Sequence, residues 1–147
     1  MPAMTTPVAD PSLSADLRDE LQRNAFNPCV GQVLLSQTDK VRVWHIRIAP
    51  GERVGFHRHV LDYFWSALSS GTARSHLNGG PATRADYVAG ETRHLTFARG
   101  ESLLHDLENI GATPLEFVTV EFLDSANDPL PLPPTLTPRT LDGTPRA

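Results

Sequence analysis

Three histidines in this chain carry the spacing of a metal centre. His57 and His59 stand two apart in the run Gly51-Glu52-Arg53-Val54-Gly55-Phe56-His57-Arg58-His59. Side chains alternate faces along an extended strand, so both rings project to one side, about 7 Å apart along the backbone. Two imidazoles so placed can converge on one divalent ion at about 2.0–2.2 Å each. The third ring opens the run His105-Asp106-Leu107-Glu108-Asn109, shortly after Gly100. It joins the pair only in a fold that lays its strand beside theirs, and a closed β-barrel does so. The alternative for the same rings is a set of hydrogen-bonded imidazoles in a polar cavity without metal.

The other chemically capable residues have plainer readings beside them. Glu121 shares a strand face with Leu115, Phe117 and Thr119 and is a candidate buried carboxylate reaching the site. His45 alternates with Val43 and reads as a strand-edge or interface residue, with a place in the barrel lining as the alternative. His76 and His94 read as surface or hydrogen-bonded side chains. Arg47 and Arg93 read as solvated cations; the sharper alternative is a grip on a substrate carboxylate. Cys29 reads as a small buried apolar residue rather than a nucleophile. No Ser/His/Asp order, phosphate-cradling glycine loop or Cys-x-x-Cys occurs.

The elements that must hold these residues are mostly strands. Leu13, Leu17 and Leu21 recur every four residues behind Ser12 and Ser14, which predicts a capped amphipathic helix over 13–23, ended by Asn27-Pro28. Val41 to Ile48 alternates with β-branched residues, putting Trp44, Ile46 and Ile48 on one face. Pro50-Gly51 is a turn, and 54–59, 61–68, 72–78, 83–88, 92–97, 103–109 and 115–123 follow as strands. Asn78-Gly79-Gly80-Pro81 marks a hairpin. Short strands at intervals of about 8–12 residues indicate a sandwich or barrel. Phe56, Phe64, Trp65, Leu68, Phe97, Leu104, Phe117, Val118, Val120 and Phe122 supply the core, and some of them line the cavity. Residues 1–11 are polar and loose. Pro129 to Ala147 contains six prolines and cannot join a central strand; it is expected as an extended arm, in solvent or across a neighbour. The division is therefore 1–29 N-terminal segment, 30–124 barrel and 125–147 arm.

Composition sets the outer limits. A chain of 147 residues makes one domain with a real core, and its hydrophobic (39%) and charged (20%) shares are ordinary. A net charge of −4 gives no footprint for nucleic acid. No apolar run approaches the ~20 residues of a membrane span. The N-terminus has neither the basic nor the apolar region of a secretory signal, and one cysteine forms no internal disulfide, so a cytoplasmic setting is expected.

The two histidine runs together resemble the cupin superfamily over about residues 40–123. Its first motif, Gly, five residues, His-x-His, three or four residues, Glu, then a later Gly, is met by Gly51 through His59 and by Gly71. Its second motif ends in His, three residues, Asn, as do His105 and Asn109. His57 through Tyr63 looks like a small single-domain group, some of whose members are named for β-alanine degradation. Two departures stand out. The metal-binding Glu is absent, its slot falling on Tyr63 or Phe64, and four residues instead of two lie between Gly100 and His105. Tyr63, if inward, offers its phenol to substrate or bound water and is the candidate catalytic residue; the alternative is a half-buried strand tyrosine. Asp62 and Tyr63 face opposite ways unless a bulge intervenes, and an outward Asp62 is placed to pair with Arg58.

The resemblance implies an all-β fold, the double-stranded β-helix or jelly-roll barrel, flanked by the short N-terminal helix and the Pro-rich arm. It implies one divalent transition metal on His57, His59 and His105. Three neutral imidazoles leave the full 2+ charge on the ion, which favours an anionic substrate and disfavours Mg²⁺; Fe(II), Zn, Ni, Mn and Cu all fit. The implied function is a metal-dependent enzyme of dioxygenase or isomerase type acting on a small-molecule anion. The alternatives are a non-catalytic small-molecule-binding cupin and a structural cupin with a vestigial site. Neither nucleic acid nor membrane is an expected partner, and a homodimer paired through sheet edges is.

Overall fold

The alternating stretches become nine strands in a computed structural model that describes residues 4–145. Residues 1–3 and 146–147, the outermost parts of the expected N-terminal segment and arm, lie outside the described residues. In chain order the elements are α1 (Ala15–Arg23), β1 (Val33–Gln37), β2 (Val41–Ile48), β3 (Arg53–His59), β4 (Tyr63–Ala67), β5 (Gly71–His76), β6 (Ala82–Tyr87), β7 (Thr92–Leu95), β8 (Leu103–Asn109) and β9 (Leu115–Phe122). Among the described residues no helix is long and apolar enough to cross a membrane.

The strands form two antiparallel sheets. One runs β1-β2-β9-β4-β7 and the other β3-β8-β5-β6. Only β1–β2 and β5–β6 are neighbours both in sequence and in a sheet, so most connections cross between sheets, as in a jelly roll. In the β5–β6 connection Asn78 and Gly79 take φ of 52° and 76°, the left-handed region that asparagine and glycine tolerate. Trp44, Ile46 and Ile48 face inward from β2, and Leu115, Phe117, Thr119 and Glu121 from β9. Ile46, Ile48, Leu115, Phe117 and Ala67 meet Ala73 and Leu107 of the opposite sheet in one core.

The helix forms as its sequence dictates. The Ser14 hydroxyl accepts the Leu17 N–H at 3.2 Å, and Asp16 and Arg23 sit at the ends of α1 that suit their charges. Leu21 and Ala25 bury against Phe56 and Leu104 on the outer face of the four-stranded sheet.

Five core assignments are corrected, two of them Val118 and Val120, which alternate with inward Phe117, Thr119 and Glu121 along β9 and are only partly buried. Phe64 turns outward against His94 and Phe122, because Tyr63 and Trp65 on either side of it point inward. Phe122 alternates with buried Glu121 and is 38% exposed, and Leu68, beyond the end of β4, is 50% exposed. The Pro-rich segment also departs from expectation. It folds back on its own barrel: Leu132 and Leu136 pack on Val30, Leu34 and Trp44, and the Arg139 N–H donates to the Leu34 carbonyl at 2.9 Å. The leucines between the prolines supply the apolar contact, while the prolines keep the segment out of the ladder.

Candidate metal centre

β3 and β8 pair so that His57 lies directly across from His105. Between Val54 and His57 the ladder slips by one residue, a β-bulge that re-aims the side chains after it. At the bulge the Gly55 carbonyl lies 2.9 Å from His57 Nδ1. A carbonyl can only accept, so Nδ1 carries the proton and the lone pair of His57 sits on Nε2. The Phe56 N–H, freed by the same bulge, donates to Glu20 of α1 at 2.9 Å.

The three rings converge. Ring centroids are separated by 4.7 Å (His57–His105), 5.0 Å (His59–His105) and 5.1 Å (His57–His59). One nitrogen from each ring lies within 4.8 Å of the others, and His59 Nε2 and His105 Nε2 are 3.1 Å apart. Two nitrogens about 2.1 Å from one ion at about 90–110° stand about 3.0–3.4 Å apart, so this pair has the span of two ligands. Among the described residues His59 Nδ1 is buried without a hydrogen-bond partner, so none of them turns that ring away from His105. Burial holds all three imidazoles below their ordinary pKa, and mutual repulsion lowers His59 and His105 further. Neutral rings are what metal ligation requires. The residues therefore fit a divalent ion that accepts nitrogen donors.

Tyr63 faces the same cavity and stacks on the His59 ring, centroids 4.0 Å apart and planes 13° off parallel. Burial pushes its phenol pKa well up, so the hydroxyl keeps its proton and serves as a donor. Glu121 does not line the cavity. It sits across the β4–β9 ladder from Tyr63 and accepts the Trp44 indole N–H at 2.7 Å. Burial raises its carboxyl pKa to about 7 against the opposing pull of Trp44 and Arg42. Arg42 is buried nearby, and its Nε has no partner.

The cavity is lined by the three histidines, Tyr63, Thr119 and an apolar wall that includes Trp65, Tyr87 and Phe117. Those last three rings meet edge to face and narrow it to about 50 Å³, the volume swept by the centre of a water molecule. One water position needs about 10–15 Å³ on that measure, so the space suits a ligand of a few heavy atoms. Among the described residues no arginine lines it; Arg47 and Arg93 are exposed, as expected of solvated cations.

The remaining candidates fall elsewhere. His45 is buried on the outer face of central β2 and pairs with Glu116 at 2.7 Å, so it is neither a lining nor an edge residue. Arg58 binds the Ala25 and Thr5 carbonyls and the Ser102 hydroxyl, while Asp62 accepts the Phe97 N–H, so these two do not pair. Cys29 is half-buried against Val30, Leu34 and Trp44, and burial pushes its thiol pKa up, which fits a packing role. The longer turn before β8 is closed by Gly100 at φ 87°, whose N–H donates to Asn127 Oδ1 at 2.8 Å, and His105 still points inward. Gly51 and Asn109, the outer residues of the two runs, hold each other: the Gly51 N–H donates to the Asn109 carbonyl at 2.9 Å.

One buried network carried no signal in the sequence. On the face opposite the histidines, fully buried Asp106 accepts Arg53 at 2.9 and 3.0 Å and the His76 N–H at 2.6 Å. Arg53 also grips Glu20 of α1 with two bonds of 2.7 Å. Strand alternation from His105 would have placed Asp106 there, but nothing marks residue 20 as its indirect partner.

No family model and no curated protein matches the chain. Among solved structures it is similar to a cupin domain from Bordetella pertussis Tohama I, at 24% identity and a TM-score of 0.53, over 61% of this chain and 88% of that one. It is also similar to an uncharacterized conserved protein with a double-stranded β-helix domain from Klebsiella pneumoniae, at 20% identity and a TM-score of 0.50, over 80% of this chain and 95% of that one. The fold is the cupin double-stranded β-helix.

Proposed function

We propose that this cupin-fold chain holds one divalent transition metal on His57, His59 and His105 and acts on a small organic anion, in a reaction of dioxygenase or isomerase type. The observation that carries the reading is the meeting of three neutral imidazoles, His57 and His59 buried and His105 half-buried, with the Nε2 atoms of His59 and His105 3.1 Å apart. When bound, the ion supplies Lewis acidity toward a substrate oxygen or a place for O₂. The Gly55 carbonyl fixes the tautomer of His57. Tyr63 stacks on His59 and holds a proton at its hydroxyl for an oxygen atom of the substrate. Trp65, Tyr87 and Phe117 exclude water and limit substrate size. Among the described residues no arginine lines the cavity, so a bound ion would be the strong positive centre facing it, which favours an anionic substrate.

A second reading has its own support. A cavity of about 50 Å³ suits a binding or sensing site without turnover. Metal analysis and substrate screening separate the two. Plasma emission spectroscopy on protein purified without a His tag should find close to one transition metal per chain, and His57→Ala or His105→Ala should strip most of it. Unchanged metal content in those variants would overturn the site. Oxygen uptake or isomerisation with small keto acids and thiols by the loaded protein marks an enzyme; saturable binding without turnover marks a sensor.

A further inference from the structure

Each sheet has two edges, and the chain covers one edge of each. On β1, the Arg139 N–H donates to the Leu34 carbonyl. On β3, the Arg58 N–H donates to the Asn27 carbonyl at 2.8 Å, Asn27 Nδ2 donates to the Phe56 carbonyl at 3.1 Å, and Glu20 takes the Phe56 N–H. The other edges, β6 and β7, pair with no further strand among the described residues. β7 is four residues long and centres on Arg93-His94. β6 has six, Ala82, Thr83, Arg84 and Asp86 being exposed, and Val88 just beyond it is 66% exposed. An exposed edge of that length is a template for another strand.

We infer that β6 is the contact through which two copies of this chain associate, paired antiparallel about Ala85 so that the two four-stranded sheets join into one of eight. The sequence Thr83-Arg84-Ala85-Asp86-Tyr87 is self-complementary in that register. A two-fold axis at Ala85 sets Arg84 of each copy directly across from Asp86 of the other, on the same face, giving two opposite-charge cross-strand pairs. Both side chains are 69% exposed and 3.4 Å apart within one strand; Asp86 Oδ1 also accepts the Thr72 hydroxyl at 2.7 Å, which leaves its second oxygen open to the partner's Arg84. Small Ala85 at the centre lets the backbones meet. A matching pairing of β7 with itself would oppose cationic Arg93 to His94. Pairing β6 to β7 is head-to-tail and does not close.

Light scattering and amide hydrogen exchange on the full chain test this, together with two variants. The wild type should show twice 16.1 kDa at micromolar concentration, with slow exchange at residues 83–87. Asp86→Arg places four arginines on the axis and should return the mass to 16.1 kDa and speed exchange there at least tenfold, with circular dichroism unchanged. Arg84→Asp combined with Asp86→Arg restores complementarity and should restore both mass and slow exchange. A monomeric wild type, an Asp86→Arg variant that stays dimeric, or a double variant that stays monomeric with a native spectrum would each overturn the inference. Metal content is independent of all three outcomes, so the result does not bear on the metal centre.

Discussion

Glu121 shows how much one side chain can set at the residue scale. Its ordinary pKa of 4.5 rises to about 7 in the fold, chiefly through burial. The folded chain therefore keeps a proton that the unfolded chain releases as pH climbs from about 4.5. Stability contributed by this group is present below that window, declines through it and is gone above about 7. A shift of that size corresponds to about 3 kcal/mol as an upper figure. Glu121→Gln keeps an oxygen for the Trp44 indole and never ionises. Urea unfolding of the metal-free proteins should therefore give similar stability at pH 5 and a variant more stable than wild type, by up to about 3 kcal/mol, at pH 8. The buried histidines titrate equally in both proteins and cancel in the difference. Equal stability at pH 8 would show that Glu121 ionises freely in the fold.

At the scale of elements, α1 is fastened by charge as well as by Leu21. Arg53 bridges Glu20 of the helix and Asp106 of β8, and its removal takes the guanidinium from a fully buried carboxylate and leaves it only His76. Arg53→Ala should cost about 2–4 kcal/mol, less than a wholly buried pair because a quarter of the Arg53 side chain (25%) meets water. A fall in the urea midpoint at unchanged slope would show it. The sequence carries α1 and β2 almost to the residue, because the leucine spacing and the Val41–Ile48 alternation each admit one period. It carries the convergence of the three histidines as well, since a residue two away on a strand shares its face and Asn109 and Gly51 frame both runs. Strand partners were not legible in the same way: β2 pairs with β9 and β3 with β8, and local patterns do not encode such distant pairings. The bulge at Gly55 was equally silent, because it answers to Glu20, a residue of a different element.

On the scale of the whole molecule, the Pro-rich segment belongs to the barrel. Leu132 and Leu136 cover the Val30–Leu34–Trp44 cluster, so replacing both with alanine uncovers Trp44. A loss of about 2 kcal/mol is expected, since each leucine is only partly buried, which lowers the melting temperature of a chain this size by about 4–8 °C. Scanning calorimetry would register it; an unchanged melting temperature would mean that the segment merely rests there.

The pairing of β3 with β8 also sets a timetable. His57 and His105 come together only after the chain between them has left the ribosome, and contacts this far apart close late. A nascent chain that has shown His57 and His59 has two of the three converging imidazoles and no pocket. An ion held as proposed would therefore be chosen by a finished barrel, from whatever the surrounding fluid offers at that moment.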